Sequence, residues 1–151
     1  MKLLNNIKKT SFSFVLGITL KKENKVIRFL DEVKKYLPKK SLIVLFFDKS
    51  KDNFTYRNCL EYSKKNKNVL VIYDSNTKNL ADAYYRLYKL CSQFNSNWVI
   101  SMNAGWRHQP KDLLKFIDLT YQQSFDCVWG YREKESNKAN KFRIYIKTKF
   151  F

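Results

Sequence analysis

The sequence predicts an α/β fold with a mostly parallel central sheet flanked by helices, and two observations support this prediction. Short apolar runs alternate along the chain with longer segments of helical periodicity. The apolar runs carry few polar residues, which is typical of strands that are buried on both faces. Strands that are connected through helices in this order form parallel sheets with right-handed crossovers.

Five strands are predicted, each from a short apolar run that ends at polar residues. They are Phe12–Leu20, Leu42–Phe47, Val69–Tyr73, Trp98–Met102 and Asp126–Trp129. Basic residues before the first run imitate a signal peptide, but Lys21 and Lys22 follow it directly and small cleavage-site residues are missing. We therefore interpret this run as the first buried strand.

Four helices are predicted between the strands, each from apolar residues spaced three and four positions apart. They are Glu23–Leu37, Asp52–Lys65, Thr77–Phe94 and Pro110–Tyr121. Pro38 ends the first helix, and Asp52 suits the N-cap of the second. The first helix carries its apolar residues on one face, namely Val26, Phe29, Leu30, Val33 and Leu37.

The composition changes near the end of the chain. We expect an α/β domain over residues 1–132 and a different segment over residues 133–151. Residues 133–141 are polar and predict a loop. Phe142–Phe151 alternates apolar and basic residues, which fits either an edge strand or a basic amphipathic segment on a membrane surface.

The chain of 151 residues is strongly basic, with 30 Lys and Arg against 13 Asp and Glu and a net charge of +17. Such a charge attracts phosphates, nucleic acid or acidic lipid, and the attraction falls with salt. A surplus of Lys, Asn, Phe, Tyr and Ile is also typical of low-GC genomes, which lowers the weight of the charge as a sign of function. The longest apolar runs fall short of the ~20 residues that a membrane span needs.

The cysteines and glycines exclude several kinds of site. Cys59, Cys91 and Cys127 are odd in number and far apart, so they predict neither a metal motif nor a disulfide framework. They indicate a reducing compartment, with Cys59 and Cys91 in the core. A Gly-rich phosphate loop and a Gly-x-Ser-x-Gly elbow are both missing from the sequence. We expect a cytoplasmic location, with peripheral contact at a membrane surface as an option.

Polar residues follow each predicted strand. In an open parallel sheet, ligands bind beyond the carboxyl ends of the strands. We therefore expect a site at that edge, built from the segments after the strands. These segments are Lys21–Asn24, Asp48–Asp52, Asp74–Asn76, Asn103–His108 and Gly130–Arg132.

Three of these strand ends resemble the inverting glycosyltransferases of family two. Ser101–Leu113 is similar to the family's Met-Asp-Ala-Asp-x-x-His-x-Pro-x-x-Leu, with the same spacing of His108, Pro110 and Leu113. Phe47–Asp52 is similar to the family's Asp-Asp-Gly-Ser-x-Asp. Asp126–Arg132 resembles Asp-Val-Val-x-Gly-x-Arg. The resemblance covers about Phe14 to Arg132 and is closest to the polyprenyl-phosphate type, similar to dolichol-phosphate mannosyltransferases.

The resemblance implies a GT-A fold and the transfer of a sugar from a nucleotide-sugar donor of the UDP or GDP type. The acceptor that it implies is a polyprenyl phosphate or a glycan, and nucleic acid is not an expected partner. It also implies donor-binding roles for a set of residues at the strand ends. These are Asp48, Asp52, Asn103, Gly105, Arg107 and Arg132.

The sequence departs from the family pattern where the metal is bound. The two aspartates that hold Mn²⁺ or Mg²⁺ on the donor diphosphate fall at Asn103 and Gly105. Asn103 is the one metal-ligand candidate there, and a neutral amide is a weaker ligand for hard cations than a carboxylate. We expect Lys49, Lys51 or Arg107 to supply part of the missing positive charge. Because Asn103-Ala104-Gly105 stands where the family has its metal-binding Asp-x-Asp, and the catalytic base has no clear counterpart, we also expect reduced or absent activity.

Several of these residues have a second interpretation. Asp52 fits an N-cap better than a ligand, and His108 fits a structural role at the start of a helix. Trp106 suits either stacking on a ligand or covering the sheet edge, and Arg132 suits either a phosphate or a surface ion pair. An alternative function for the whole chain is a non-catalytic basic module that binds nucleic acid or an anionic membrane.

Overall fold

The computed structural model describes residues 7–49, 51–106, 108–122, 125–132 and 142–147. The chain forms two compact units, Met1–Lys111 and Asp112–Phe151. The expected boundary near residue 132 rests on composition alone and stays a prediction. No helix in the described part of the chain has both the length and the apolar character needed to cross a bilayer.

The first unit is built on a four-stranded, all-parallel sheet. Its strands are β1 (Phe12–Leu20), β2 (Ser41–Phe47), β3 (Val69–Tyr73) and β4 (Ser96–Asn103). Their order in the sheet is β3-β2-β1-β4, so β1 pairs with both β2 and β4. The predicted α/β class and parallel sheet are confirmed, and β1 and β3 have the predicted bounds.

Three helices connect these strands, α1 (Val26–Tyr36), α2 (Asn53–Lys65) and α3 (Leu80–Cys91). Two of them begin at side-chain caps, because Asp52 accepts a hydrogen bond from the Thr55 N–H and Asn79 accepts one from the Asp82 N–H. Helix α3 therefore begins at Leu80, three residues after the predicted start at Thr77. All five apolar residues predicted for the face of α1 are buried.

The core lies on both faces of β1 and β2, which are almost completely buried. Helix α3 covers one face, where its Ala83, Leu87 and Cys91 pack with Val15 and Val44. Helix α2 covers the opposite face, since alternate strand residues point to opposite sides and the ring of Tyr56 meets Phe47 edge-on at 5.1 Å.

Burial on both faces does not extend to the outer strands. In β4, Val99 is 36% exposed, and in β3 Tyr73 is 42% exposed. Both strands lie at the edges of the four-stranded sheet, where fewer neighbours cover them. The prediction that every strand is buried on both faces is therefore wrong for β3 and β4.

The two buried cysteines lie where the helical periodicity predicted them. Cys59 on α2 and Cys91 on α3 are fully buried. Desolvation raises the pKa of each thiol to about 12, because burial disfavours the charged thiolate. They therefore act as small apolar core residues rather than as nucleophiles.

A 3₁₀ turn at Pro110–Asp112 spans the boundary between the two units. The second unit contains α4 (Leu113–Tyr121), β5 (Cys127–Arg132) and β6 (Phe142–Lys147). Strand β5 pairs antiparallel with β6 in a two-stranded sheet. The first four predicted strands therefore form the parallel sheet, and the fifth belongs to this antiparallel pair. Of the two alternatives for the terminal segment, the strand is the one observed over Phe142–Lys147. The loop predicted over residues 133–141 lies outside the described residues.

Gly17, at the centre of β1, sets how closely α3 approaches the sheet. A Cβ atom added there would lie 3.0 Å from Cδ2 and Cγ of Leu87. Leu87 is itself fully buried and has little room to move. We predict that Gly17→Ala lowers the free energy of unfolding by about 1–3 kcal/mol through overpacking, as measured by urea denaturation.

The matched control for Gly17→Ala is the same substitution in a Leu87→Ala background. Because the methyl group then enters space that Leu87 has left, the penalty of Gly17→Ala should vanish or change sign there. An equal penalty in both backgrounds would show that Leu87 is not the cause.

Candidate functional site

The strand register brings three strand ends together at one edge of the sheet. Thr19, near the end of β1, lies opposite Asn103, the last residue of β4. Leu20 lies opposite Phe47, the last residue of β2. The turns that follow β1, β2 and β4 therefore emerge side by side, as expected for a parallel sheet.

A pocket opens at this edge of the first unit. Its volume of about 480 Å³ lies within the range of ~300–1,000 Å³ typical of small-molecule sites. The pocket contains both acidic and basic side chains. It is lined by Thr19, Leu20, Lys21, Lys22, Glu23, Phe46, Asp48, Leu80, Ala83, Asn103, Ala104 and Gly105.

Three of the six predicted donor-binding residues line this pocket, namely Asp48, Asn103 and Gly105. Asp52 is not among the lining residues. Arg107 lies outside the described residues, and so does the side chain of Arg132, which ends β5 in the second unit.

The side chain of Asn103 is the centre of a polar cluster. Its Oδ1 atom accepts a hydrogen bond from the Thr19 hydroxyl at 3.0 Å and a second from the Tyr84 hydroxyl on α3. A carbonyl oxygen has two lone pairs, so both are engaged within the protein. Sequence reasoning missed Thr19 and Tyr84, because their roles depend on strand register and on the position of α3.

His108 supports the same strand end. The backbone N–H of Asn103 donates to Nδ1 of His108 at 3.0 Å. This bond requires an unprotonated Nδ1. His108 thus holds the end of β4, which is the structural alternative that the sequence left open.

The turn after β4 bends through two residues with left-handed backbone conformations. Gly105 has φ +87° and Trp106 has φ +63°. A Cβ atom at position 105 would lie 2.9 Å from Oε2 of Glu23. Both the backbone conformation and the nearby carboxylate therefore favour glycine here.

Trp106 covers part of the first unit rather than the pocket. Its ring meets Phe29 edge-on, with centroids 5.6 Å apart, and the Arg28 guanidinium lies 5.7 Å from the ring centre. These contacts compensate for the unfavourable backbone conformation of Trp106. Both contacts are with α1, so Trp106 packs on this helix, and neither the stacking on a ligand nor the covering of the sheet edge is what these contacts show.

The turn after β1 is fixed to the start of α2 by backbone contacts. The Glu23 N–H donates to Oγ1 of Thr55 at 3.0 Å, and the Asp52 N–H donates to the Lys21 carbonyl at 2.9 Å. The Lys25 N–H donates to Oε1 of Glu23 at 3.1 Å. The turn is therefore held by its backbone while the Lys21 and Lys22 side chains are exposed.

Asp52 caps α2. Its Oδ2 atom accepts hydrogen bonds from the Thr55 N–H at 2.8 Å and from the Thr55 hydroxyl at 2.9 Å. These bonds, the backbone one first, lower the pKa of Asp52, and the charge of Lys22 lowers it further. The N-cap alternative for Asp52 is confirmed.

The lysines expected to supply charge after β2 do not line the pocket. The Lys51 ammonium lies 5.0 Å from the ring centres of both Tyr56 and Tyr73, and it donates to Asn53. Lys49 is exposed, and its backbone N–H donates to Oγ1 of Thr77. The lysines that do line the pocket, Lys21 and Lys22, follow β1 instead.

The ligand atoms available in the pocket do not fit a divalent metal ion. Asn103 and Gly105 stand at the positions of the two aspartates that bind the metal in the family. Oδ1 of Asn103 is engaged by two hydroxyls, and Gly105 has no side chain. Across the described ranges, no cluster of three or more His, Cys, Asp or Glu side chains is placed to hold a metal ion. Hard divalent cations need several oxygen ligands, of which carboxylates are the strongest.

Comparison with known families gives one clear finding. A family model described as "Glycosyl transferase family 2" matches residues 15–150, nearly the whole chain. Among curated proteins, no match to this chain is found.

The capping role of Asp52 gives a test through pH. Because the folded state lowers the pKa of Asp52, its carboxylate stabilises the fold above the unfolded pKa of about 3.9, and this contribution is lost as pH falls through the lower folded value. We predict that Asp52→Asn is less stable than wild type at pH 7, and that the gap narrows below about pH 4.

The measurement is the urea midpoint of both proteins across this pH range. Asp118→Asn, which removes an exposed carboxylate from α4, is the control for general charge effects. A gap for Asp52→Asn that does not change with pH would contradict the ionic role of the cap.

Proposed function

Since this chain belongs to glycosyl transferase family 2, we propose that the pocket after β1, β2 and β4 binds a nucleotide-sugar donor whose sugar is transferred with inversion to an acceptor. The observation that carries the proposal is the convergence of three strand-end turns around one pocket, in a chain with the α/β fold of the GT-A type. The size of the pocket suits a nucleoside diphosphate.

Asp48 is the residue that we propose for the nucleoside. It follows β2 directly, lines the pocket and is half-buried. A carboxylate accepts hydrogen bonds from ribose hydroxyls and from base N–H groups, and these bonds are stronger than neutral ones. The turns Lys21–Glu23 and Asn103–Gly105 are then left for the diphosphate and the sugar.

The proposed transfer is a single displacement at the anomeric carbon. An acceptor oxygen forms a bond to the anomeric carbon while the bond between this carbon and the diphosphate oxygen breaks. The bonding electron pair leaves with the nucleoside diphosphate. Groups that stabilise the charge on the leaving diphosphate accelerate such a step.

We propose a polyprenyl phosphate rather than a glycan hydroxyl as the acceptor. A phosphate oxygen is already ionised at neutral pH and needs no base to remove a proton, whereas a hydroxyl does. The net charge of +17 also favours an anionic acceptor at a membrane surface.

We further propose that sugar transfer is slower in this protein than in relatives that have two aspartates after the strand corresponding to β4. Asn103 and Gly105 offer no carboxylate for a metal ion that would stabilise the leaving group. The basic-module alternative depends on the net charge and on the alternating apolar and basic residues of Phe142–Phe151, and it makes no use of the pocket.

The proposal predicts saturable binding of a nucleoside diphosphate. UDP, GDP and their sugar conjugates are titrated calorimetrically into the folded chain at moderate salt. We expect one of the two bases to bind more tightly, with one site per chain. Binding that ignores the base and disappears with added salt would instead support the basic module.

Asp48→Asn tests the proposed site within the same experiment. Replacing the carboxylate should weaken binding of the preferred nucleotide about tenfold and reduce the difference between UDP and GDP. Asp118→Asn, on the exposed face of α4, is the matched control and should bind as wild type does. Equal nucleotide affinities of the Asp48→Asn and Asp118→Asn variants would show that Asp48 does not contact the nucleotide.

A further inference from the structure

We propose that the donor diphosphate is held by the ammonium groups of Lys21 and Lys22, without a divalent metal ion. This inference rests on the proposed function, because it concerns the ligand of the same pocket. The negative charge of the diphosphate is then compensated by lysine side chains instead of a metal ion.

Asn103 stands where the family has the first aspartate of its metal site. Its Oδ1 atom is hydrogen-bonded to the hydroxyls of Thr19 and Tyr84. A metal ion would have to displace at least one of these hydroxyls to reach this oxygen, and the oxygen carries no formal charge to compensate for that loss. The strand end keeps a polar cluster but offers no free ligand at this atom.

Gly105 stands where the family has the second aspartate of its metal site. Its φ of +87° favours glycine, and Oε2 of Glu23 lies 2.9 Å from the place of a Cβ atom. The carboxylate of Glu23 thus occupies space that a side chain at position 105 would need. Its Oε1 is held by the Lys25 N–H. An aspartate at position 105 would face both a strained backbone and a like charge.

Lys21 and Lys22 are placed to contact a ligand in the pocket. Both side chains are exposed, line the pocket and follow the central strand β1. Several other lysines in the first unit are engaged, for example Lys34 with Asn66, Lys35 with Glu32 and Lys64 with Glu61. Within the described ranges, neither ammonium group of Lys21 and Lys22 has a hydrogen bond or an ion pair.

Two adjacent cations suit a diphosphate for electrostatic reasons. Their backbone is held by the contacts of Lys21 and Glu23 with the start of α2, so little backbone ordering is needed on binding. Charge-assisted hydrogen bonds from ammonium groups to phosphate oxygens are about twice as strong as neutral ones. The same contacts would stabilise the diphosphate as it leaves.

The test is a calorimetric titration with the nucleotide that the chain prefers, once with EDTA and once with Mn²⁺. We expect dissociation constants that agree within about twofold. Lys21→Ala and Lys22→Ala should each weaken binding about tenfold, and the corresponding Arg variants should retain most of the affinity. Lys39→Ala removes an exposed lysine outside the pocket lining and should change the affinity less than twofold.

Glu23→Gln separates the two modes of binding further. If lysines alone hold the diphosphate, removing a nearby negative charge should tighten binding about twofold or more. If a metal ion joins Glu23 to the diphosphate, the same change should weaken binding. Circular dichroism melting of each variant checks that it is folded.

The outcomes distinguish the two proposals. Binding that needs Mn²⁺, or lysine variants that behave like Lys39→Ala, would overturn the lysine inference and leave the donor site standing. The absence of nucleotide binding by the folded chain in both buffers would overturn the lysine inference and the proposed function together.

Discussion

The parallel pairing of β1 with both β2 and β4 is the constraint on which the site depends. This central strand is buried over most of its length, and its register places Thr19 opposite Asn103. A shift of one residue would turn every side chain of β1 to the other face of the sheet. The pairing therefore determines both which residues form the core and which strand ends meet at the pocket.

The packing of α3 connects the core to the pocket. Leu87 lies against Gly17, where the missing Cβ allows the helix to approach the sheet closely. Tyr84 lies three residues earlier, on the same face and about one turn closer to the start of α3. Its hydroxyl reaches Oδ1 of Asn103 from that position. The close contact between Gly17 and Leu87 thus helps to position the Tyr84 hydroxyl at the pocket.

Most of the fold was predictable because its strands and helices have strong local patterns. The run Phe12–Leu20 and the face of α1 from Val26 to Leu37 appear in the structure as predicted. Helix ends were less predictable, since the start of α3 depends on the Asn79 cap. The pairing of β5 with β6 was missed because partner choice between distant strands leaves no local pattern.

The candidate site was predictable in position but less so in its chemistry. Following the strand ends identified Asp48, Asn103 and Gly105, all of which line the pocket. The same reasoning chose Lys51, whose ammonium lies over two tyrosine rings instead. Side-chain direction in a turn depends on tertiary contacts, and spacing along the sequence does not reveal these.

The central claim is that a nucleoside diphosphate binds at the edge formed by the turns after β1, β2 and β4. The most direct measurement is an assigned amide NMR spectrum, titrated with UDP and GDP in EDTA. The account predicts saturable shifts centred on residues 19–23, 48 and 103–105. Shifts confined to amides of other surfaces, or spread evenly over the amides of basic residues throughout the molecule, would contradict it.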